Sequence, residues 1–209
     1  MSQITKSLLF LSILATAFVF GRGDILQYTG LGYLIWNLFL AWVPYLLSLY
    51  FLKKEAPLKQ FIPVFILWLL FFPNATYLVT DILHVASSAP QSLWYDSLTF
   101  FTFGLTGLLL GVASLSHIEE YLVGKVGQIT REIILFTICF VSSFGIYLGR
   151  FERWNSWDFF IHPSTLIRHS YAISLDAGRG GTTLVFIAVF TLFTYLIYKI
   201  LNPLINKNA

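Results

Sequence analysis

Charge is what this sequence has least of. Only 11% of its 209 residues are Asp, Glu, Lys or Arg, against about 25% in a soluble domain. With 57% hydrophobic residues and a mean hydropathy of +0.75, this scarcity excludes a soluble globular protein and indicates an integral membrane protein. Cysteine is nearly absent too. Cys139 stands alone within an apolar run, which rules out a disulfide framework or thiolate metal site and leaves a packing role. There is no basic run: the 13 Lys and Arg residues are scattered, so the net charge of +3 is not the footprint of a nucleic-acid binder. No acid, lysine or arginine lies deep within an apolar run, which argues against an ion-coupled transporter or proton pump. Internal repeats and low-complexity segments are missing as well.

What is present is six apolar runs, at residues 7–20, 31–52, 61–80, 98–117, 133–148 and 183–201. A crossing takes about 20 mostly apolar residues. The second, third, fourth and sixth runs meet that length, and the fifth is marginal. The first is short, with Lys6 before it and Ala15-Thr16-Ala17 near its end, so it reads either as an uncleaved helix or as a signal peptide. The expected fold is all-α: residues 1–209 as one bundle of about six transmembrane helices, the third kinked at Pro73, with a long outer segment between the fifth and sixth. With both termini in the cytoplasm, the inner segments hold Lys6, Lys53, Lys54, Lys59, Lys125, Arg131, Lys199 and Lys207. The outer ones hold Arg22, Arg150, Arg153, Arg168 and Arg179. That imbalance favours this orientation.

Read in order, Gly21-Arg22-Gly23-Asp24 is expected to be a tight outer turn and 53–59 a solvated basic inner one. On the second run, Asn37, Ala41, Pro44 and Ser48 share one narrow face, of the kind that meets other helices. On the third, Pro73 should interrupt the helix and leave a carbonyl to be satisfied by another group. Asn74, Tyr77, Asp81 and His84 then fall within an arc of about 80°, a column of hydrogen-bonding groups rising toward the outer surface. Asn37 and Asn74 come to similar depths, so an Asn–Asn contact is expected. On the fourth run, Gly104, Gly107, Gly111 and Ser114 make a small-residue stripe for a close neighbour, and Asp96 points into the bundle beside it. Residues 116–132 read as a polar amphipathic segment whose Glu119, Glu120, Lys125, Arg131 and Glu132 form a solvated face. The sixth run reads as a plain anchor.

The densest polar stretch follows the uncharged run 133–146. Tyr147-Leu-Gly-Arg-Phe-Glu-Arg-Trp-Asn-Ser-Trp-Asp158 packs two arginines, two acids, two tryptophans and an asparagine into twelve residues. Arg and Trp suit the head-group region, but an anchor needs only one or two. The aromatics that follow, through Phe159 and Phe160, suggest a segment lying on or dipping into the interface.

Three motifs together resemble an uncharacterised family of small polytopic bacterial inner-membrane proteins, known only as a domain of unknown function. They are Phe-Pro-Asn-Ala-Thr-Tyr-Leu-Val-Thr-Asp-Ile-Leu-His at 72–84, Trp-Tyr-Asp at 94–96, and the 147–158 stretch. The resemblance implies a helical bundle in the bacterial cytoplasmic membrane. It carries over no activity, cofactor or catalytic residue.

Three functions fit these residues. The first is a binder of a small polar, anionic or lipid-linked ligand, through Asn74, Tyr77, Asp96, Arg150, Arg153, Trp154, Asn155, Trp157 and Asp158. Arg150 and Arg153 could clamp a phosphate, with the indoles walling the site. The second is an enzyme acting on a lipid or lipid-linked substrate. Asp81 and His84 would be its acid–base pair, or metal ligands together with Asp96 and Asp158. The third is a structural ion-pair network in which Arg150 and Arg153 neutralise Asp81, Asp96 and Asp158. The expected partners are the bilayer and a lipid head group or small anion. All three functions require Asp81 and Arg150 to meet at one end of the bundle.

Overall fold

The computed structural model describes residues 2–26, 30–52, 58–175 and 180–206. Among them are eight α-helices and no strand. They are α1 (Gln3–Leu26), α2 (Gly32–Ser48), α3 (Leu58–Tyr77), α4 (Leu93–Leu122), α5 (Gln128–Phe151), the short α6 (Asp158–Ile161), α7 (Pro163–Leu175) and α8 (Gly180–Asn206). A ten-residue 3-10 segment, Leu78–Ser87, continues α3. Five helices are long and apolar enough to cross a membrane, the second of them being α3 with most of its extension. The chain is therefore a multi-pass membrane protein. The second run yields only 17 helical residues before it turns at 49–52, so α2 is the shortest of the apolar helices. Lys53, Lys54, Asp176, Arg179 and Lys207 lie outside the described residues.

α4 is the axis. Of its apolar window 72% is buried within the protein, against 17–44% for the other four long helices, and it touches α1, α2, α3, the 3-10 segment, α5 and α8. Its glycine stripe explains the closeness. A Cβ on Gly107 would lie 2.3 Å from the Ala75 carbonyl oxygen, and Gly104 and Gly111 face Val79 and Thr76. The close neighbour required by the stripe is thus the junction between α3 and the 3-10 segment. Where α4 crosses α2 and α3, buried polar groups are paired, as an apolar surround favours. The Trp68 indole N–H donates to Ser114 Oγ at 2.7 Å, and the Ser114 hydroxyl donates to the Pro44 carbonyl at 3.1 Å. Ala41, Pro44 and Ser48 are buried on the small-residue face of α2.

Three expectations change. Gly21, Arg22, Gly23 and Asp24 are not a turn, because α1 runs through them to Leu26. Leu8 and Ala15 of α1 join the core. Residues 116–132 are not a separate amphipathic segment: α4 extends to Leu122 and α5 starts at Gln128. Nor is Glu119 or Glu132 simply solvated. Glu119 accepts hydrogen bonds from the Tyr198 hydroxyl and from Asn202 at 2.8 Å, and pairs with Arg131 at 3.2 Å. Glu132 accepts from the Tyr195 hydroxyl and Lys199, both at 2.7 Å. α8 is more than an anchor, since its hydroxyls and amide fasten it to α4 and α5.

Candidate functional site

Asp81 and Arg150 do meet. A 3-10 helix has three residues per turn, so side chains at i and i+3 eclipse. The segment after Tyr77 therefore stacks Asp81 directly beneath His84 and Thr80 above Tyr77. The last turn of α5 brings Arg150 across this ladder. Its Nε and Nη2 donate to Thr80 Oγ1 at 2.9 and 2.7 Å. Nη2 also donates to Asp81 Oδ1 at 2.5 Å, and Nη1 approaches His84 Nε2 at 3.0 Å. A guanidinium only donates, so the imidazole nitrogen is the acceptor there. The guanidinium carbon sits 4.4 Å from the centre of the Tyr77 ring, a cation–π contact. Asn37 of α2 donates to the other Asp81 oxygen at 3.3 Å. Asp81 is 0% exposed, with both oxygens engaged.

A second ion pair stands apart. Arg22, at the end of α1, clasps Asp96 in bidentate fashion, Nε to Oδ1 at 2.5 Å and Nη2 to Oδ2 at 2.8 Å. Ser92 Oγ adds a third donor at 3.0 Å. Both partners are buried. Arg22 was not a candidate in the sequence. The signal was there in principle: an arginine closing one apolar run and an acid opening another at the same end of the bundle.

Beside the first pair lies a cavity of about 600 Å³, within the usual range for ligand pockets. α3 packs against both α2 and α5, and residues of all three line the space, making a groove floored by α3. Its lower part is apolar, built from Ile66, Leu69, Leu70, Val141 and Phe144. A Cβ on Gly145 would come within 2.9 Å of Pro73 Cγ, so glycine there lets α5 lie close along the floor. The upper part is polar and aromatic: Asn37, Asn74, Tyr77 and the loop Trp154, Asn155, Ser156 and Trp157, with Leu166, Ile167 and Ser170 of α7 alongside. Tyr77 joins the two features, lining the cavity while its ring carries the Arg150 guanidinium.

The loop over the cavity has its own supports. Asn74 Nδ2 donates to Ser156 Oγ and to the Phe71 carbonyl, both at 3.0 Å. The expected Asn37–Asn74 contact is thus replaced by two others, since Asn37 turns to Asp81. Asp158 accepts from the Asn155 backbone N–H at 2.7 Å and from its side-chain amide at 3.4 Å, which shapes the turn into α6. Glu152 pairs with His169 of α7 at 2.8 Å, tying that helix to the loop. Arg153 is exposed and adopts the left-handed conformation, φ 58°.

The candidates therefore separate into four groups. Asp81, His84, Arg150 and Tyr77 form one cluster; Asn74, Tyr77, Trp154, Asn155 and Trp157 line the cavity; Asp96 belongs to Arg22; and Asp158 shapes the loop. Arg150 does not reach Asp96 or Asp158, as a shared network would require, because Arg22 and Asn155 serve them. Of the four proposed metal ligands only Asp81 and His84 lie together, and no three His, Cys, Asp or Glu side chains converge on a metal position among the described residues. The residues missed in the sequence are Arg22, Thr80 and Ser156. Each is a small or isolated polar group whose partner lies about 70 or more positions away.

No curated protein and no solved structure matches this chain. One family model does, over residues 36–197, the range that holds the cavity and the Arg150–Asp81 pair, and its description is "Protein of unknown function (DUF1361)". The chain belongs to that family.

Proposed function

We propose that the protein binds a membrane amphiphile in the groove between α2 and α5, with the apolar chain along α3 and the polar head beneath the 154–157 loop. The observation that carries this reading is the grading of the walls, from Ile66, Leu70 and Phe144 at one end to Asn74, Asn155 and Ser156 at the other. A purely polar solute would leave the lower walls facing water, and a purely apolar one would leave the upper amides and hydroxyls without partners. The floor from Ile66 to Asn74 spans about 12 Å at about 1.5 Å per residue, a length suited to a lipid tail. Trp36 and Val141 are both lining and exposed, so the groove opens sideways and a lipid can enter without leaving the bilayer.

In this reading the site faces outward from the bacterial cytoplasmic membrane, with the lysine-bearing ends inside. The Arg150–Asp81 pair is the brace that holds Tyr77 and Asn37 in the wall. Asp81 and His84 are not acid–base catalysts in it, because Arg150 and Asn37 already engage the carboxylate and Arg150 engages the imidazole nitrogen.

The test is photocrosslinking in vesicles with a lipid carrying a diazirine on its acyl chain, followed by peptide mapping. Adducts should concentrate on Ile66, Leu70, Val141 and Phe144. Adducts as frequent, relative to exposure, at the more exposed lipid-facing positions Phe10, Leu184 and Val189 would mean that the groove holds only surrounding lipid, and the proposal would fail.

A further inference from the structure

The upper end of the groove is built from uncharged groups. None of the residues lining the cavity is an acid or a base, and the nearby acids are turned to other partners: Asp81 to Arg150, Glu152 to His169 and Asp158 to Asn155. Several of the lining groups are donors. The Ser156 oxygen accepts from Asn74, which leaves its own proton to give, and the indole N–H groups of Trp154 and Trp157 can only donate. One residue before this loop stands Arg153.

Arg153 differs from Arg22 and Arg150, the two arginines at this end that hold aspartates, and its backbone differs from that of every other described arginine. Arg22 is buried, Arg150 is partly buried, and both are paired with aspartates, whereas Arg153, like Arg168, is exposed and makes no hydrogen bond or ion pair with another described residue. It also occupies a left-handed position, φ 58°, where the Trp154 N–H turns back to the Leu148 carbonyl at 3.1 Å. Helices that end this way normally use glycine or asparagine. A long side chain in such a place is strained, and strain of this kind gathers at ligand sites.

We propose that the amphiphile carries a phosphate on its head and that Arg153 is the residue that reads it. This deepens the reading of the groove given above and rests on it. The planar guanidinium matches two phosphate oxygens at once, and the donors of the loop below supply further hydrogen bonds to the same head. The neutral walls select for chain and oxygen, and the charge comes from the rim.

The experiment uses the full chain, purified and delipidated in detergent and titrated in native mass spectrometry. The probes are dioleoyl phosphatidic acid and dioleoylglycerol, which share their chains and differ by the phosphate. The phosphatidic acid should bind about tenfold or more tightly, the scale of a hydrogen bond to a charged group. Arg153→Asn keeps a residue that tolerates φ > 0 and should bring the two lipids to within about twofold of each other by removing that contact. Arg153→Gly, which relieves the strain, should do the same, and Arg153→Lys should keep part of the preference. Millimolar inorganic phosphate should not displace the lipid. Equal binding of the two lipids by the unaltered protein, or a preference untouched in Arg153→Asn, overturns the head-group assignment while leaving the groove intact. Displacement by inorganic phosphate would make the site one for the free ion. Binding of neither lipid would remove the groove reading itself.

Discussion

Replacing Arg150 with alanine should be among the most damaging single changes outside the apolar core. Arg150 donates to Thr80, Asp81 and His84 and stacks on Tyr77. Its removal leaves the Asp81 carboxylate, 0% exposed, with Asn37 as its remaining side-chain donor. Breaking a buried ion pair from one side costs about 3–5 kcal/mol. At about 2–4 °C per kcal/mol for a chain of this size, the apparent melting temperature should fall by about 6–20 °C. Asp81→Asn should cost less than Arg150→Ala, because an amide can still meet Asn37 and removes the buried charge. The double variant should then be less destabilised than the sum of the two, by about 1–3 kcal/mol of coupling. The assay is thermal unfolding in a single detergent, followed by size-exclusion chromatography of the remaining folded fraction. Arg153→Asn is the internal control and should melt no lower than the unaltered protein, since asparagine tolerates φ > 0. If Arg150→Ala melts within about 2 °C of it as well, the pair is not a brace, and Tyr77 and Asn37 are held by something else.

Three further outcomes follow from contacts elsewhere. Gly107→Ala places a methyl group 2.3 Å from the Ala75 carbonyl oxygen and should destabilise by about 1–3 kcal/mol in the same melting assay, whereas Gly32→Ala, with nothing within 4 Å, should be neutral. Arg22→Ala should cost about 3–5 kcal/mol by stranding Asp96, and Arg22→Ala combined with Asp96→Ser should recover much of the loss in yield and melting temperature. Tyr198→Phe removes one of the donors to Glu119, and because Asn202 and Arg131 remain the loss should be near the low end of about 1.5–3 kcal/mol, read as a small downward shift in melting.

The helical runs were legible because a span has a length and a composition, and the Gly104–Gly111 stripe because tight crossings demand small residues. The meeting of Asp81 with Arg150 was legible for a related reason: charges at the ends of apolar runs have few places to go. What could not be read was pairing at a distance. Arg22 lay between two glycines and looked like part of a turn, and nothing in the run itself shows that α1 continues through it and so aims its side chain at Asp96. Glu119 and Glu132 looked solvated because several of their partners, Tyr195, Tyr198, Lys199 and Asn202, lie far along the chain on α8, within or at the end of an apolar run. The 3-10 winding after Tyr77 was also hidden. It stacks Asp81 under His84 and Thr80 over Tyr77 in place of one arc of Asn74, Tyr77, Asp81 and His84, and it separates Asn74, which goes to the loop, from Asp81, which goes to Arg150.

The account stands most directly on what fills the space between α2 and α5. A structure of the protein determined in a lipid nanodisc should show elongated density along α3 past Leu69 and Leu70, ending in a compact feature under Trp154 to Trp157 and within contact of Arg153. A groove closed by direct packing of α2 on α5, or one whose density matches the disordered lipid around α8, would contradict it.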